Sequence, residues 1–175
     1  MNANQERTIN SMPEFLAHAL QLELESAERY RELADSMEVH NNPEVAGLFR
    51  TMAEYGDLHA AEVRTLAESY ELPEISPWDF KWTTPESPEA PALEDANYLM
   101  NKCQALELAL HNEIKGRDFY ACVAREAGGE DVRGVAAQMA TEEDGHVDML
   151  RAWMVREACN ATPPIPDLDP PNITG

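Results

Sequence analysis

The chain is short of three things. Basic residues are the first: 13 Lys and Arg stand against 33 Asp and Glu, giving a formal net charge of -20. A surface of that sign repels polyanions, so nucleic acid and anionic membranes are excluded as natural partners. Most of these acids read as a solvated surface, and bound divalent ions would offset only a few of them. Cysteine is the second. Cys103, Cys122 and Cys159 are the whole set, and none lies in a C-x-x-C pair. Neither a rubredoxin-type iron site nor a zinc ribbon is therefore encoded. Three scattered cysteines are expected to be reduced thiols, in a cytoplasmic protein. The third is long apolar sequence. No stretch approaches the roughly 20 residues needed to span a bilayer, and no apolar run follows a basic N-terminal segment, so no signal peptide is expected.

What is present is helical patterning over one domain's length, 175 residues. Ser11-x-x-Glu14 forms a capping box ahead of Leu16, Ala19, Leu20, Glu23, Ala27, Tyr30, Leu33, Ala34 and Met37, which recur at helical spacing. Asn41, Asn42 and Pro43 stop this helix, and Asn41-x-x-Glu44 is the expected cap of the next. The second stripe reads Val45, Leu48, Phe49, Met52, Gly56, His59, Val63 and Leu66, and is expected to end near Tyr70. Residues 71–101 hold five prolines with Trp78, Phe80 and Trp82, too irregular for an element and too aromatic for a bare linker. They are expected to lie against the rest as a crossover. A third helix, capped by Asn101-x-x-Gln104, carries Leu106, Ala109, Leu110, Glu113, Tyr120, Val123 and Ala124 up to Gly128-Gly129. A fourth opens on Glu130 and Asp131, which suit a positive helix end. It continues through Val132, Val135, Met139, Glu143, His146, Leu150 and Trp153, with Pro163 and Pro164 closing it. The fold expected is all-α, a four-helix bundle over residues 1–160 with a crossover at 71–101 and a proline-rich tail at 161–175.

The two halves repeat each other. Ala19-Leu20-x-x-Glu23, with Tyr30 and Ala34 after it, returns as Ala109-Leu110-x-x-Glu113 with Tyr120 and Ala124. Met52-Ala53 precedes His59 as Met139-Ala140 precedes His146. Glu23, Glu113 and Glu143 lie on apolar stripes, where an ionised carboxylate costs several kcal/mol unless it is paired or bound to a metal. Glu143 and His146, three apart, face one side of their helix. One glutamate from each of two helices plus Glu-x-x-His from each of two others is the ligand set of a di-metal carboxylate bundle. Glu23, His59, Glu113, Glu143 and His146 supply five of its six members, and Gly56 stands where the sixth would be. Mixed carboxylate and imidazole donors suit iron, manganese or zinc better than calcium or magnesium. Tyr30 and Tyr120 are expected to pack with their hydroxyls on buried acids. His18, His40 and His111 fall outside the matched positions and are expected at the surface or at helix ends.

At these residues, over roughly 12–158, the chain resembles the rubrerythrin-like members of the ferritin-like superfamily. The resemblance rests on Ala19-Leu20-x-x-Glu23, His59, Ala109-Leu110-x-x-Glu113 with Phe119-Tyr120, and Glu143-Asp144-Gly145-His146. It implies a ferritin-like bundle with two irons that react with peroxide or dioxygen, as a peroxidase or ferroxidase. Glu23 and Glu113 would be terminal ligands, Glu143 a bridge, and His59 and His146 the two ends. Gly56 replaces the other bridging glutamate, so one iron instead of two is an alternative, and manganese another. Glu62 is the candidate within the helix to fill the place, and a glutamate restored at 56 is expected to raise occupancy. The paired cysteines of the family's rubredoxin-like module do not occur in this sequence, so that module is not expected and a separate electron donor protein is. A homodimer or higher homo-oligomer is also implied. The competing reading is a one-metal or metal-free bundle with a binding or structural role.

Overall fold

The computed structural model describes residues 8–84, 87–88 and 96–159. Four long helices make up the domain: α1 (Met12–Val39), α2 (Pro43–Ala67), α3 (Lys102–Glu126) and α4 (Glu130–Arg156). They pack as two pairs, α1 with α2 and α3 with α4, joined by the crossover between α2 and α3. This is the all-α four-helix bundle expected from the periodicity. Among the described residues, no helix is long and apolar enough to cross a membrane.

Local chemistry sets the helix ends. The Ser11 hydroxyl accepts from the Glu14 N–H, satisfying one of the orphan donors of the first turn. Asn101 and Gln104 form a full reciprocal capping box at α3. The expected cap of α2 is displaced by one residue. Asn42, not Asn41, holds the cap position, and its side chain does not cap the helix. It reaches across instead and donates to the Met100 carbonyl at 2.8 Å, fastening the α1–α2 turn to the approach of α3. Asn41 takes φ 58°, a left-handed conformation that asparagine tolerates better than most residues. α2 ends at Ala67, short of Tyr70, and Leu66 is 45 % exposed, off the buried stripe. α3 ends at Glu126 with Ala127 as its cap, so the glycine pair serves the start of α4, where Gly129 is the N-cap. The tail at 161–175, with Pro163 and Pro164, lies outside the described residues.

The crossover packs on the bundle as expected, and it corrects the reading of His18. Phe80 and Trp82 stack with ring centroids 5.0 Å apart, and both meet the His18 ring edge-on. His18 is fully buried, not at the surface. Its Nδ1 lies 2.9 Å from the Glu14 carbonyl, and its Nε2 accepts from the Lys81 N–H at 2.9 Å. Those partners select the neutral Nδ1–H tautomer. Burial, the largest influence, lowers its pKa to match. His40 and His111 are exposed as expected, His40 stacked on Tyr98.

The cysteine expectation is overturned. Cys103 at the start of α3 and Cys159 just past α4 form a disulfide, with Cα atoms 5.4 Å apart. The antiparallel pairing of α3 and α4 brings the two together across 56 residues of chain, a proximity that scattered sequence positions do not reveal. Cys122 alone is a free thiol.

Two apolar clusters fill the bundle. One includes Leu33, Met37, Phe49, Met52, Leu106 and Leu150; the other includes Phe15, Leu16, Leu22, Val63, Phe119 and Val132. Tyr30 belongs to the first and Tyr120 to the second, and the buried acids lie between.

Candidate metal centre

Each helix delivers one part of the centre. Glu23 comes from α1, His59 from α2, Glu113 from α3, and Glu143 with His146 from α4. Glu23, Glu113 and Glu143 are 1 %, 3 % and 1 % exposed. All five sequence-derived residues line one cavity of about 10 Å³, together with Ser26, Met52, Tyr55 and Gly56. A volume of that size is space for roughly one water-sized centre.

The contacts repeat across the two halves. His59 Nδ1 lies 3.0 Å from Glu143 Oε1 and 3.6 Å from Glu23 Oε2. His146 Nδ1 lies 3.2 Å from Glu113 Oε2 and 3.4 Å from Glu143 Oε2. The two imidazoles stack with centroids 4.8 Å apart. The tyrosines cross over: Tyr120 of α3 donates to Glu23 of α1 at 2.7 Å, and Tyr30 of α1 reaches Glu113 of α3 at 3.5 Å. Each half thus orients the other half's carboxylate, as expected of tyrosines packed against buried acids. Tyr55 was not singled out in the sequence. Its ring lies 5.0 Å from that of His146, and its hydroxyl meets the Met149 sulfur at 3.5 Å.

Burial and mutual charge set the proton positions. Burial raises Glu23 and lifts Glu113 to about 7, against the hydrogen bonds from His59 and His146. Burial works the same way on Glu143, but the two imidazoles, His146 and His59, overcome it and hold this carboxyl at about 2. Burial opposes charge on both imidazoles, yet the carboxylates win and raise His59 to about 11 and His146 to about 9. Without metal, protons on the histidines hold the acids together. A cation would take over that role and displace them.

Gly56 occupies the position opposite Glu143, and the reason for it is steric. A Cβ there would meet the Ala27 Cβ and backbone N at 3.1 Å and the Glu23 carbonyl at 3.2 Å. α2 comes so close to α1 that only glycine fits without displacement. The gain in occupancy expected of Gly56→Glu therefore also requires Ala27 and the Glu23 backbone to give by a few tenths of an ångström. Glu62, the other candidate for that place, is exposed.

The donors present do fit a metal. A ligand atom from each of His59, Glu143 and His146 lies within 4.8 Å of the others. Glu143 Oε2 is buried and accepts no well-aligned hydrogen bond, its contact with His146 Nδ1 at 3.4 Å being long, so its desolvation is only partly compensated. A cation held by the two imidazoles and Glu143 would supply the rest.

Known proteins bear on the same residues. The rubrerythrin family model matches residues 14–101 and 104–162. The chain is similar to an uncharacterized conserved protein from Magnetospirillum magnetotacticum MS-1 whose crystal structure is known. The two are 39 % identical with a TM-score of 0.67, over 90 % of this chain and 99 % of that one. No curated protein matches. With the matched region running across all four helices and every residue of the buried cluster, the chain belongs to the rubrerythrin family.

Proposed function

We propose that the protein is a non-haem iron oxidoreductase that reacts with peroxide or dioxygen at the buried cluster. The family suggests a di-iron centre. The observation that carries the reading is the Glu143 carboxylate, buried between His59 and His146, with its Oε2 held only by a long 3.4 Å contact. The donor set favours one firmly held ion among His59, Glu143 and His146, and a second held more weakly, because Gly56 offers no ligand. Glu23 and Glu113 flank that core, each fixed by a tyrosine from the other half. When bound, iron supplies the electrons for reduction of the oxidant.

The chain's own residues do the rest. The two apolar clusters exclude bulk water on either side of the acids. His59 and His146 are proton carriers in the metal-free state and neutral ligands in the loaded one, so loading releases protons. Tyr30 and Tyr120 hold Glu113 and Glu23 in position. Manganese is the second metal that this donor set accepts. A separate electron donor protein and a homo-oligomeric assembly belong to the same proposal, with Trp78, 82 % exposed on the crossover, as a contact residue. The cytoplasmic expectation leans on reduced cysteines, and the Cys103–Cys159 bond removes that support.

The test is consumption of Fe(II) by the anaerobically loaded protein on mixing with peroxide. Oxidation faster than that of the same Fe(II) in buffer is expected for the wild type and absent in Glu143→Ala. Equal rates in the two proteins would remove the enzyme reading and leave the metal-binding or structural bundle.

A further inference from the structure

We propose, resting on that reading of the buried cluster as a metal centre, that the ring of Tyr55 sets the size of the molecule admitted to it. Hydrogen peroxide passes, and a peroxide with a bulky apolar group does not. Nine residues line the cavity of about 10 Å³. Six of them, Glu23, Ser26, Met52, Gly56, Glu113 and Glu143, are buried. Tyr55, His59 and His146 are half-buried, so among the described residues the cavity approaches solvent only through these three rings. The rings lie in a row. The Tyr55 centroid is 5.0 Å from that of His146, and the His146 centroid is 4.8 Å from that of His59. Their planes differ by 32° and 19°. Rings at that spacing are in contact, and nothing passes between them.

Tyr55 is the member of this wall that can yield. The two imidazoles are tied to the centre, with His59 Nδ1 at 3.0 Å from Glu143 and His146 Nδ1 at 3.2 Å from Glu113. Among the described residues the Tyr55 hydroxyl meets only the Met149 sulfur, at 3.5 Å. A thioether is a weak acceptor, and methionine repacks readily. The tyrosine ring can therefore turn aside with little loss of polar contact. That movement clears one ring's width beside a fixed pair of imidazoles, which suits a small molecule. A bulky substituent would have to displace His146 as well, against its carboxylate contacts. The barrier is the ring and not its hydroxyl.

The test uses the Co(II)-loaded protein and anions of two sizes, azide and benzoate, with binding read from the visible absorption of the cobalt. The preference for azide is expected to be roughly tenfold greater in the wild type than in Tyr55→Ala, the discrimination a close-fitting site makes against added carbon. Tyr55→Phe is expected to keep the wild-type preference, and cobalt per chain to be equal in all three. An unchanged preference in Tyr55→Ala would overturn the filter, as would its loss in Tyr55→Phe. Should the alanine variant not fold, Tyr55→Leu takes its place under the same criterion. The comparison is repeated on the Fe(II)-loaded protein with hydrogen peroxide and cumene hydroperoxide. Each takes two electrons and two protons at its O–O bond. The first leaves two waters, the second one water and an alcohol, so they differ in bulk and not in chemistry. The rate ratio is expected to fall in Tyr55→Ala by a similar factor, and an unchanged ratio would overturn the filter. If neither peroxide oxidises the loaded iron faster than iron in buffer while the anion preference holds, the filter is supported and the peroxide reading falls. A wild type that takes up no cobalt would overturn the metal centre and the filter with it.

Discussion

The two halves of the molecule carry the same plan and differ in two respects. In the α3–α4 half, Glu143 lies within reach of both histidines. In the α1–α2 half, the matching place is Gly56, pressed against Ala27 and the Glu23 carbonyl. One position carries a buried carboxylate, the other allows close approach of two helices. The second difference is covalent. The α3–α4 half is closed by the Cys103–Cys159 bond, while among the described residues the α1–α2 pair has no such link and is held by packing and by the ion pairs of Arg31 with Asp57 and Arg50 with Glu38. A duplicated bundle can thus keep its buried acids and tyrosines in both halves while one half holds an extra carboxylate and the other packs its helices tightly.

The sharpest way to break this comparison is Glu143→Ala. It removes the carboxylate shared by both histidines, and loss of tightly held metal is expected, read as metal per chain after loading and desalting. Unchanged content would sink the assignment of the centre to the α4 half. Next in size is the disulfide. Opening a loop of this length, 56 residues, is expected to lower stability by about 4 kcal/mol. The check is the denaturation midpoint of Cys103→Ser with Cys159→Ser, and an unshifted midpoint would mean that the staple does not support its half. Gly56→Ala probes the other half. Its Cβ has to push apart α1 and α2, and a destabilisation of about 1–3 kcal/mol is expected. A neutral effect would show that the helices do not touch as closely as described.

Smaller effects should separate the crossed tyrosines. Tyr120→Phe removes a 2.7 Å hydrogen bond to Glu23, and a loss of about 1–3 kcal/mol is expected from leaving that buried oxygen unsatisfied. Tyr30→Phe removes a 3.5 Å contact and should cost less, about 1 kcal/mol or below. Equal losses, read from paired urea curves, would mean that the halves hold their carboxylates alike.

The pH dependence of the metal-free fold follows from the same charges. His59 and His146 are raised from 6.5, so their pairing stabilises the fold fully below about pH 6.5 and is lost as the pH climbs through about 9 and then 11. Glu113, raised from 4.5 to about 7, acts in the same direction: its contribution is present below 4.5 and fades as the pH passes through about 7. Glu143, lowered to about 2, adds stability above 4.5 that is lost as the pH falls towards 2. Thermal midpoints of the metal-free protein should therefore decline from pH 6 to pH 10, and bound metal should flatten that decline. A midpoint that rises over this range would contradict the proton assignment.

Much of this was legible in the sequence, for physical reasons. Helical periodicity is a local property, and so are the Ser11 and Asn101 caps, so all four helices could be placed from the residues alone. The acids at Glu23, Glu113 and Glu143 could be read because a carboxylate on an apolar stripe is costly without a partner. What escaped depends on contacts between distant segments. His18 has no helical signal for burial, since its partners are Phe80, Lys81 and Trp82 of the crossover. Cys103 and Cys159 meet only once α3 and α4 are packed. Gly56 reads as a lost ligand until Ala27 is seen beside it, and Asn42 finds its role in the carbonyl of Met100.

The most direct test of the asymmetric centre is the count of divalent metal per chain in an anaerobic titration of the metal-free protein with Fe(II). One tightly held ion, followed by a distinctly weaker second event, is expected if Glu143 and the two histidines form the core and Gly56 leaves the other half without a ligand. Two ions bound with equal affinity, or none, would contradict it.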